Sequence, residues 1–183
     1  VTYALLRHGQ TEWNRLGLLQ GSSDIPLNET GRTQARDAAR SLVGSPWRVV
    51  VSSPLQRARE TAQIVAESLG IQTGPVYPDL RERDYGDREG TSAADALAGW
   101  PDRDYPGAEP IADVVERGMA ALTRIAEEHG EHDVLVVGHG TQLRFTLAEI
   151  AGHPLEELPN GRVATIRREH RHWVLASYPS AAP

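Results

Sequence analysis

Three short apolar runs, Tyr3-Ala4-Leu5-Leu6, Val49-Val50-Val51 and Val134-Leu135-Val136-Val137, constrain this 183-residue chain more than any other feature. A strand with one face in water alternates apolar and polar residues; these runs are continuous, as strands buried on both faces are. Such burial needs helices above and below the sheet, and helical patterns lie between the runs. The cleanest is Ala35, Ala38, Ala39, Leu42 and Val43, at the i, i+3, i+4, i+7, i+8 spacing of one apolar stripe, closed by Gly44 and Pro46.

A second helix is expected to open at Ser53-Pro54-Leu55-Gln56, where Ser at the cap, Pro in the first turn and Gln three residues on make a capping box. Its stripe is Ala58, Thr61, Ala62, Val65 and Leu69. A third runs from about Ile111 through Val114, Leu122 and Ile125 to Ala126, and a fourth from Gly140 through Leu143, Leu147 and Ile150 to Gly152. The segments Val163 to Arg167 and Trp173 to Ala176 alternate, and pair as a hairpin at the sheet's edge. The predicted fold is α/β, a three-layer α/β/α sandwich with a mostly parallel mixed sheet and helices on both faces. Residues 1–183 are expected to form a single domain, with 85–110, rich in Gly, Pro, Asp and Ala, as a lid over the site.

Composition removes whole classes of chemistry. Zero cysteines exclude thiol catalysis, disulfides and thiolate metal sites, and all 19 basic residues are arginine, which excludes Schiff-base and P-loop lysines. The net charge of −6 argues against nucleic acid as a partner, since phosphate contacts want a basic face. No run approaches the roughly 18 apolar residues of a membrane span, and no secretory leader opens the chain, so a cytoplasmic protein without membrane partners is expected.

Ligands of open α/β sheets bind beyond the carboxyl ends of the strands. Arg7 and His8 follow the first run, Arg57 lies just after the second, and His139 follows the third between Gly138 and Gly140. Four potential cations therefore meet at one edge of an acidic protein. Arg57 in a first helical turn opposes the helix dipole unless an anion sits there, and the N–H groups of Gly140 and Thr141 would start a helix that binds an anion without side chains. Singly, each has a duller reading: Arg57 paired with Glu60, His139 packed in the core. Together they imply a phosphate. With no Cys or Lys, His8 is the natural nucleophile, held neutral by its positive neighbours. The proton donor is a carboxyl from Leu80-Arg81-Glu82-Arg83-Asp84, and spacing alone does not separate Glu82 from Asp84.

Five ordered blocks then resemble the histidine phosphatase superfamily, which includes the cofactor-dependent phosphoglycerate mutases. They are Leu6-Arg7-His8-Gly9-Gln10-Thr11-Glu12-Trp13-Asn14; Gln20-Gly21 with Asp24, Pro26-Leu27-Asn28 and Gly31; Ser52-Ser53-Pro54-Leu55-Gln56-Arg57-Ala58; Leu80-Arg81-Glu82 with Gly86 and Glu89-Gly90; and Gly138-His139-Gly140. The resemblance implies a phosphoglycerate mutase-like fold, a phosphohistidine on His8, phosphoryl contacts from Arg7, Arg57 and His139, and Glu82 as the acid. It adds Asn14, Gln20, Gly21, Gly140 and Thr141 as substrate- or phosphate-binding positions, and no metal or cofactor. The implied activity is metal-independent hydrolysis of a small phosphorylated metabolite. A mutase, or an inactive phosphate-binding module, would use the same scaffold.

The chain departs from the family pattern at Gly107-Ala108-Glu109-Pro110, where many family phosphatases carry Gly-Gly-Glu-Ser, and at Arg88, where a Trp is common. Pro110 has no hydroxyl to offer a substrate. The interval from Glu82 to the third helix is also shorter than in the mutases, which favours hydrolysis. Arg81, Arg83 and Arg103 read as solvated charges or as contacts for a second anion, Trp13 as packing behind the nucleophile loop, and 167–171 as a polar hairpin turn. His170 and His172 have no third ligand beside them and are not read as a metal site.

Overall fold

A computed structural model describes residues 1–170 and 172–179 of the chain. In chain order its strands and α-helices are β1 (Thr2–Arg7), α1 (Glu12–Arg15), α2 (Glu29–Leu42), β2 (Trp47–Ser52), α3 (Gln56–Leu69), β3 (Gln72–Val76), α4 (Ala93–Gly99), α5 (Ile111–His129), β4 (Asp133–Gly138), α6 (Gly140–Ala151), β5 (Val163–Glu169) and β6 (His172–Ser177). The six strands form one sheet in the order β3-β2-β4-β1-β5-β6. The first four of that order are parallel, and β5 and β6 add antiparallel at the end, as the hairpin pattern predicts.

The continuous runs are buried on both faces, and successive residues divide between two cores. Tyr3, Leu5, Val49, Val51, Val134 and Val136 pack with Leu122 and Ile125 of α5 and Leu143 and Leu147 of α6. Ala4, Leu6, Val50, Leu135 and Val137 pack with Ala38, Ala39 and Leu42 of α2 and Ala58, Ala62 and Val65 of α3. Burying each such Leu or Val contributes roughly 1.5–3 kcal/mol, so the runs fix where the sheet lies between its helix layers. This is the expected three-layer sandwich.

Two helix ends differ from expectation. The second helix does not use the Ser53 capping box: it starts at Gln56 with Leu55 at the cap and no side-chain cap bond. The Ser53 hydroxyl is instead 2.7 Å from Nε2 of His139. At the other end of α2, Val43 leaves helical geometry and is 70 % exposed, so the stripe stops at Leu42, whose carbonyl accepts from the Trp47 indole at 2.9 Å. Strand β3 lies at the end of the sheet; Gly74 and Pro75 suit an edge strand, and it is mostly exposed.

Residues 85–110 carry a 3-10 turn at Gly86–Arg88 and helix α4, and their Tyr85, Ala96 and Tyr105 form a small core together with Leu19. Arg83 is not solvated but buried, with its guanidinium over the rings of Tyr85 and Tyr105 and its Nε donating to the Glu109 carbonyl at 2.7 Å. Trp13 lies against Gly90, as packing predicts. In the hairpin turn Arg171 falls outside the described residues, as do 180–183. No described helix is long and apolar enough to cross a membrane.

Candidate active site

Because β2, β4 and β1 are neighbours in the sheet, their carboxyl ends deliver Arg57, His139 and His8 side by side. The rings of His8 and His139 are 5.1 Å apart between centroids. His8 Nδ1 is 2.6 Å from the carbonyl oxygen of Gly9. A carbonyl only accepts, so Nδ1 carries the ring proton and the Nε2 lone pair is left available. Burial, then Arg57 and Arg7, hold the His8 imidazole well below the usual histidine range, so it is neutral near pH 7. The direction matches the sequence reading; the larger cause is burial. His139 is shifted the same way by burial and by Arg57, His8 and Arg7.

Arg7, the last residue of β1, lies against the first turn of α6. Its Nη1 donates to Glu157 Oε1 at 2.5 Å and to the Leu158 carbonyl at 2.7 Å, which leaves the Nε edge without a partner. A Cβ on Gly140 would stand 2.9 Å from the Arg7 Cζ, so glycine there lets the guanidinium lie across the helix start. Arg57, fully buried, spends Nη1 on the Ser23 carbonyl and Nη2 on that of Gly21, both at 2.9 Å, and its Nε has no partner. Burial lowers its pKa to about 10, which keeps it a cation at neutral pH. His139 Nδ1 is the third buried donor or acceptor left unpartnered here. Each such group costs about 1–3 kcal/mol if nothing binds it, so three gathered around His8 mark a place for an acceptor-rich ligand.

Arg7, His8, Asn14, Gln20, Glu82, Gly140 and Thr141 line one cleft of roughly 620 Å³, while Arg57 and His139 lie buried beneath it. Gly21 is placed differently: its carbonyl holds Arg57, and a Cβ there would clash with the Arg83 carbonyl, so it shapes the site through its backbone. Asn14 turns its amide oxygen to Thr11 and Asn160, and Gln20 gives its oxygen to the Thr11 hydroxyl, so the NH₂ of each is the group able to donate into the cleft. Glu82 accepts from the backbone N–H of Arg83 (2.8 Å), Gln142 (2.9 Å) and Thr141 (3.0 Å), capping α6. The Thr141 N–H is therefore occupied, and of the two expected anion donors only that of Gly140 is uncommitted. Asp84 faces away, accepting from the Gly86 N–H at 2.7 Å.

Four contributors escaped the sequence reading. Glu157 and Asn160 come from the loop before β5; Asn160 Nδ2 donates to the His8 carbonyl at 3.0 Å. Arg144, one helical turn beyond Gly140, also lines the cleft. Arg117 of α5 holds the Glu82 loop: it donates to the carbonyls of Asp79 (2.8 Å), Arg81 (2.6 Å) and Glu82 (3.1 Å), and pairs with Glu109 at 2.7 Å. Glu109 in the departing Gly107-Ala108-Glu109-Pro110 stretch is thus used, while Pro110 only precedes α5. The one available signal was an arginine interrupting the apolar side of α5. Among the described residues no three His, Asp or Glu side chains gather as a metal site.

A mixed α/β sandwich with two neutral histidines and two arginines gathered at one polar cleft belongs to the class that handles phosphoryl groups without lysine or cysteine. The family model described as the histidine phosphatase superfamily (branch 1) matches residues 3–180, and the chain belongs to that superfamily. It is 36 % identical over 180 residues to the uncharacterized phosphatase PhoE of Bacillus subtilis, covering 95 % of this chain and 92 % of that protein. It is 37 % identical over 175 residues to a 2,3-bisphosphoglycerate-dependent phosphoglycerate mutase of Methylobacterium, covering 85 % and 83 %. The solved structure of Bacillus stearothermophilus YhfR superposes with a TM-score of 0.88 at 27 % identity, covering 99 % of this chain and 98 % of that one.

Proposed function

We propose that the protein is a metal-independent phosphomonoesterase that hydrolyses a small phosphorylated metabolite through a phosphohistidine on His8. The observation that carries this is the set of unpartnered buried groups, Arg7 Nε, Arg57 Nε and His139 Nδ1, beside a histidine whose Nε2 lone pair is available. In the first step Nε2 attacks phosphorus, the bond from phosphorus to the ester oxygen breaks, and Glu82 gives that oxygen a proton. Oε2 accepts one N–H and Oε1 two, so Oε2 is the oxygen with room for that proton. In the second step water attacks phosphorus, the bond from phosphorus to Nε2 breaks, and the proton of water returns to Glu82.

The transferring group carries its charge on equatorial oxygens, and fixed cations stabilise it without reorganising. Arg7, Arg57 and a proton on His139 Nδ1 supply that field, with Asn14 and the Gly140 N–H adding donors. Residues 85–110 act as a lid that packs on Leu19 and closes one side of the cleft. Its short length supports hydrolysis over mutase action, because it leaves water a route to the phosphohistidine.

The test is phosphate release from p-nitrophenyl phosphate with and without EDTA, together with trapping of an acid-labile phosphoprotein. Release insensitive to EDTA, and abolished in His8→Ala, is expected. Turnover of His8→Ala at the wild-type rate would refute the nucleophile. Isomerisation primed by a bisphosphorylated ester, with little phosphate released, would replace hydrolysis by mutase action.

A further inference from the structure

The Arg57 guanidinium is held by two carbonyls, that of Gly21 on Nη2 and that of Ser23 on Nη1, both at 2.9 Å, and its Nε is left without a partner. Both carbonyls sit in a loop, 19–26, that is neither helix nor strand, so no sheet ladder fixes their direction. Glu89, from the segment that follows Glu82, grips this loop. Its carboxylate accepts from the Ser22 N–H at 2.5 Å, from the Ser23 N–H at 2.9 Å and from the Ser23 hydroxyl. A Cβ on Gly21 would stand 2.4 Å from Glu89 Oε1, so glycine there lets the carboxylate close on the loop. Glu89 is anchored in turn. It follows the 3-10 turn Gly86–Arg88, and next to it the Gly90 N–H donates to the Leu19 carbonyl and the Leu19 N–H to that of Thr91, both at 2.9 Å.

The Ser22 N–H and the Gly21 carbonyl belong to one planar peptide unit and point in opposite directions. Glu89 binds one end of that unit and Arg57 the other. An anion on the N–H and a cation on the carbonyl polarise the peptide in the same sense, so each bond strengthens the other. Among the described residues Glu89 pairs with no arginine, so no ion pair cancels its charge. Burial disfavours the Arg57 cation most; Glu82, Asp24 and Glu89 favour it, and Arg7 opposes it. Of these carboxylates Asp24 takes the Gln56 N–H and Glu82 takes the first turn of α6, which leaves Glu89 as the one bound to the amides of the Arg57-holding loop.

We propose that Glu89 is a positioning residue for phosphoryl transfer: through the Gly21–Ser22 peptide it fixes the direction in which Arg57 offers its unpartnered edge. This rests on the phosphatase reading, in which Arg57 supplies part of the field on the phosphoryl group. Glu89 touches neither the substrate nor the reacting atoms, and its effect on the chemistry passes through Arg57.

The experiment is a double-mutant cycle on p-nitrophenyl phosphate with the native protein, Glu89→Gln, Arg57→Met and the two combined. Glu89→Gln keeps the side chain's length and one acceptor oxygen while removing the charge, and should lower kcat about tenfold with little change in KM. The alkaline limb of kcat/KM should move to lower pH, because Arg57, whose pKa is about 10, loses an anion that favours its charged form. In the Arg57→Met background the same substitution should change kcat by less than about twofold. An equal loss in both backgrounds, or an alkaline limb that stays in place, would overturn the proposal. If the native protein releases no phosphate, the phosphatase reading fails instead, and the ¹H–¹⁵N signal of the Arg57 Nε–H, identified by its absence in Arg57→Met, decides the positioning on its own. That signal should shift in Glu89→Gln, and an unmoved signal would break the link between the two residues.

Discussion

Glu157 Oε1 lies 2.5 Å from Nη1 of Arg7, on the far side of the guanidinium from the unpartnered Nε. The pair fixes which edge of Arg7 faces the cleft, and it also places a negative charge beside the cation proposed to hold the phosphoryl group. The Glu157 side chain is 64 % exposed, so water screens much of the attraction. Glu157→Gln should leave Nη1 held by the Leu158 carbonyl while removing the charge. Product phosphate should then inhibit about two- to fivefold more tightly, in line with the few tenths to 1 kcal/mol of a screened pair. A Ki for inorganic phosphate that is unchanged or weaker contradicts this.

Burial of two neutral histidines makes stability depend on pH. His8 and His139 have pKa values lowered well below 6.5 in the folded protein, whereas the unfolded chain protonates both near the ordinary value. Below about pH 6.5 the unfolded state therefore binds more protons, and stability falls as pH drops from there toward the folded pKa values. Each group contributes a slope of at most about 1.4 kcal/mol per pH unit. Thermal melts between pH 7.5 and 5 should show a falling Tm that flattens in His8→Gln. An equal slope in that variant would assign the effect elsewhere.

Ser53 fixes the ring of His139 through the 2.7 Å contact to Nε2. If Nδ1 donates to the phosphoryl group, Nε2 must accept, and the Ser53 hydroxyl is its donor. Ser53→Ala removes that donor and lets the tautomer with the proton on Nε2 compete. A roughly tenfold loss in kcat with little change in KM is expected, the pattern of an interaction realised in the transition state. A change confined to KM would argue for a ground-state role.

Arg117 holds three carbonyls of the Glu82 loop and the Glu109 carboxylate, with the arginine side chain 10 % exposed. Arg117→Ala leaves a largely buried carboxylate without its cation and releases the acid's loop. A loss of about 2–4 kcal/mol in urea unfolding is expected, with a larger fall in kcat for esters with poor leaving groups than for p-nitrophenyl phosphate. The leaving-group dependence separates a positioning role from general destabilisation. Equal losses for both ester types would count against it.

The arrangement of layers was legible because burial on both faces demands a sequence without alternation, and Leu5, Val50 and Val136 meet that demand locally. The polar members of the site that follow such runs, Arg7, His8, Arg57 and His139, were legible for the same reason: the strand that ends beside them places them. Ser53 does not cap α3 because the helix starts only at Gln56; its oxygen accepts from the Leu55 N–H at 3.3 Å, and its hydroxyl meets an imidazole 86 positions away. Glu157, Asn160 and Arg144 gave no local signal, and Arg117 only that of an arginine interrupting an apolar helix face. Arg7 and Glu157 are 150 positions apart, and nothing near either one announces the other.

What the sequence by itself determined was the chemistry available: a chain with neither cysteine nor lysine, and with histidines after two buried strands, offers imidazole and guanidinium at one edge of its sheet. What only the tertiary structure decided was the direction of each group. The sheet order sets β1 between β4 and β5, so the loop before β5 reaches Arg7 and α6 starts above His8. Hydrogen bonds are directional and short, and which edge of Arg7, which nitrogen of His8 and which oxygen of Glu82 faces the cleft depends on partners that only folding brings within 3 Å.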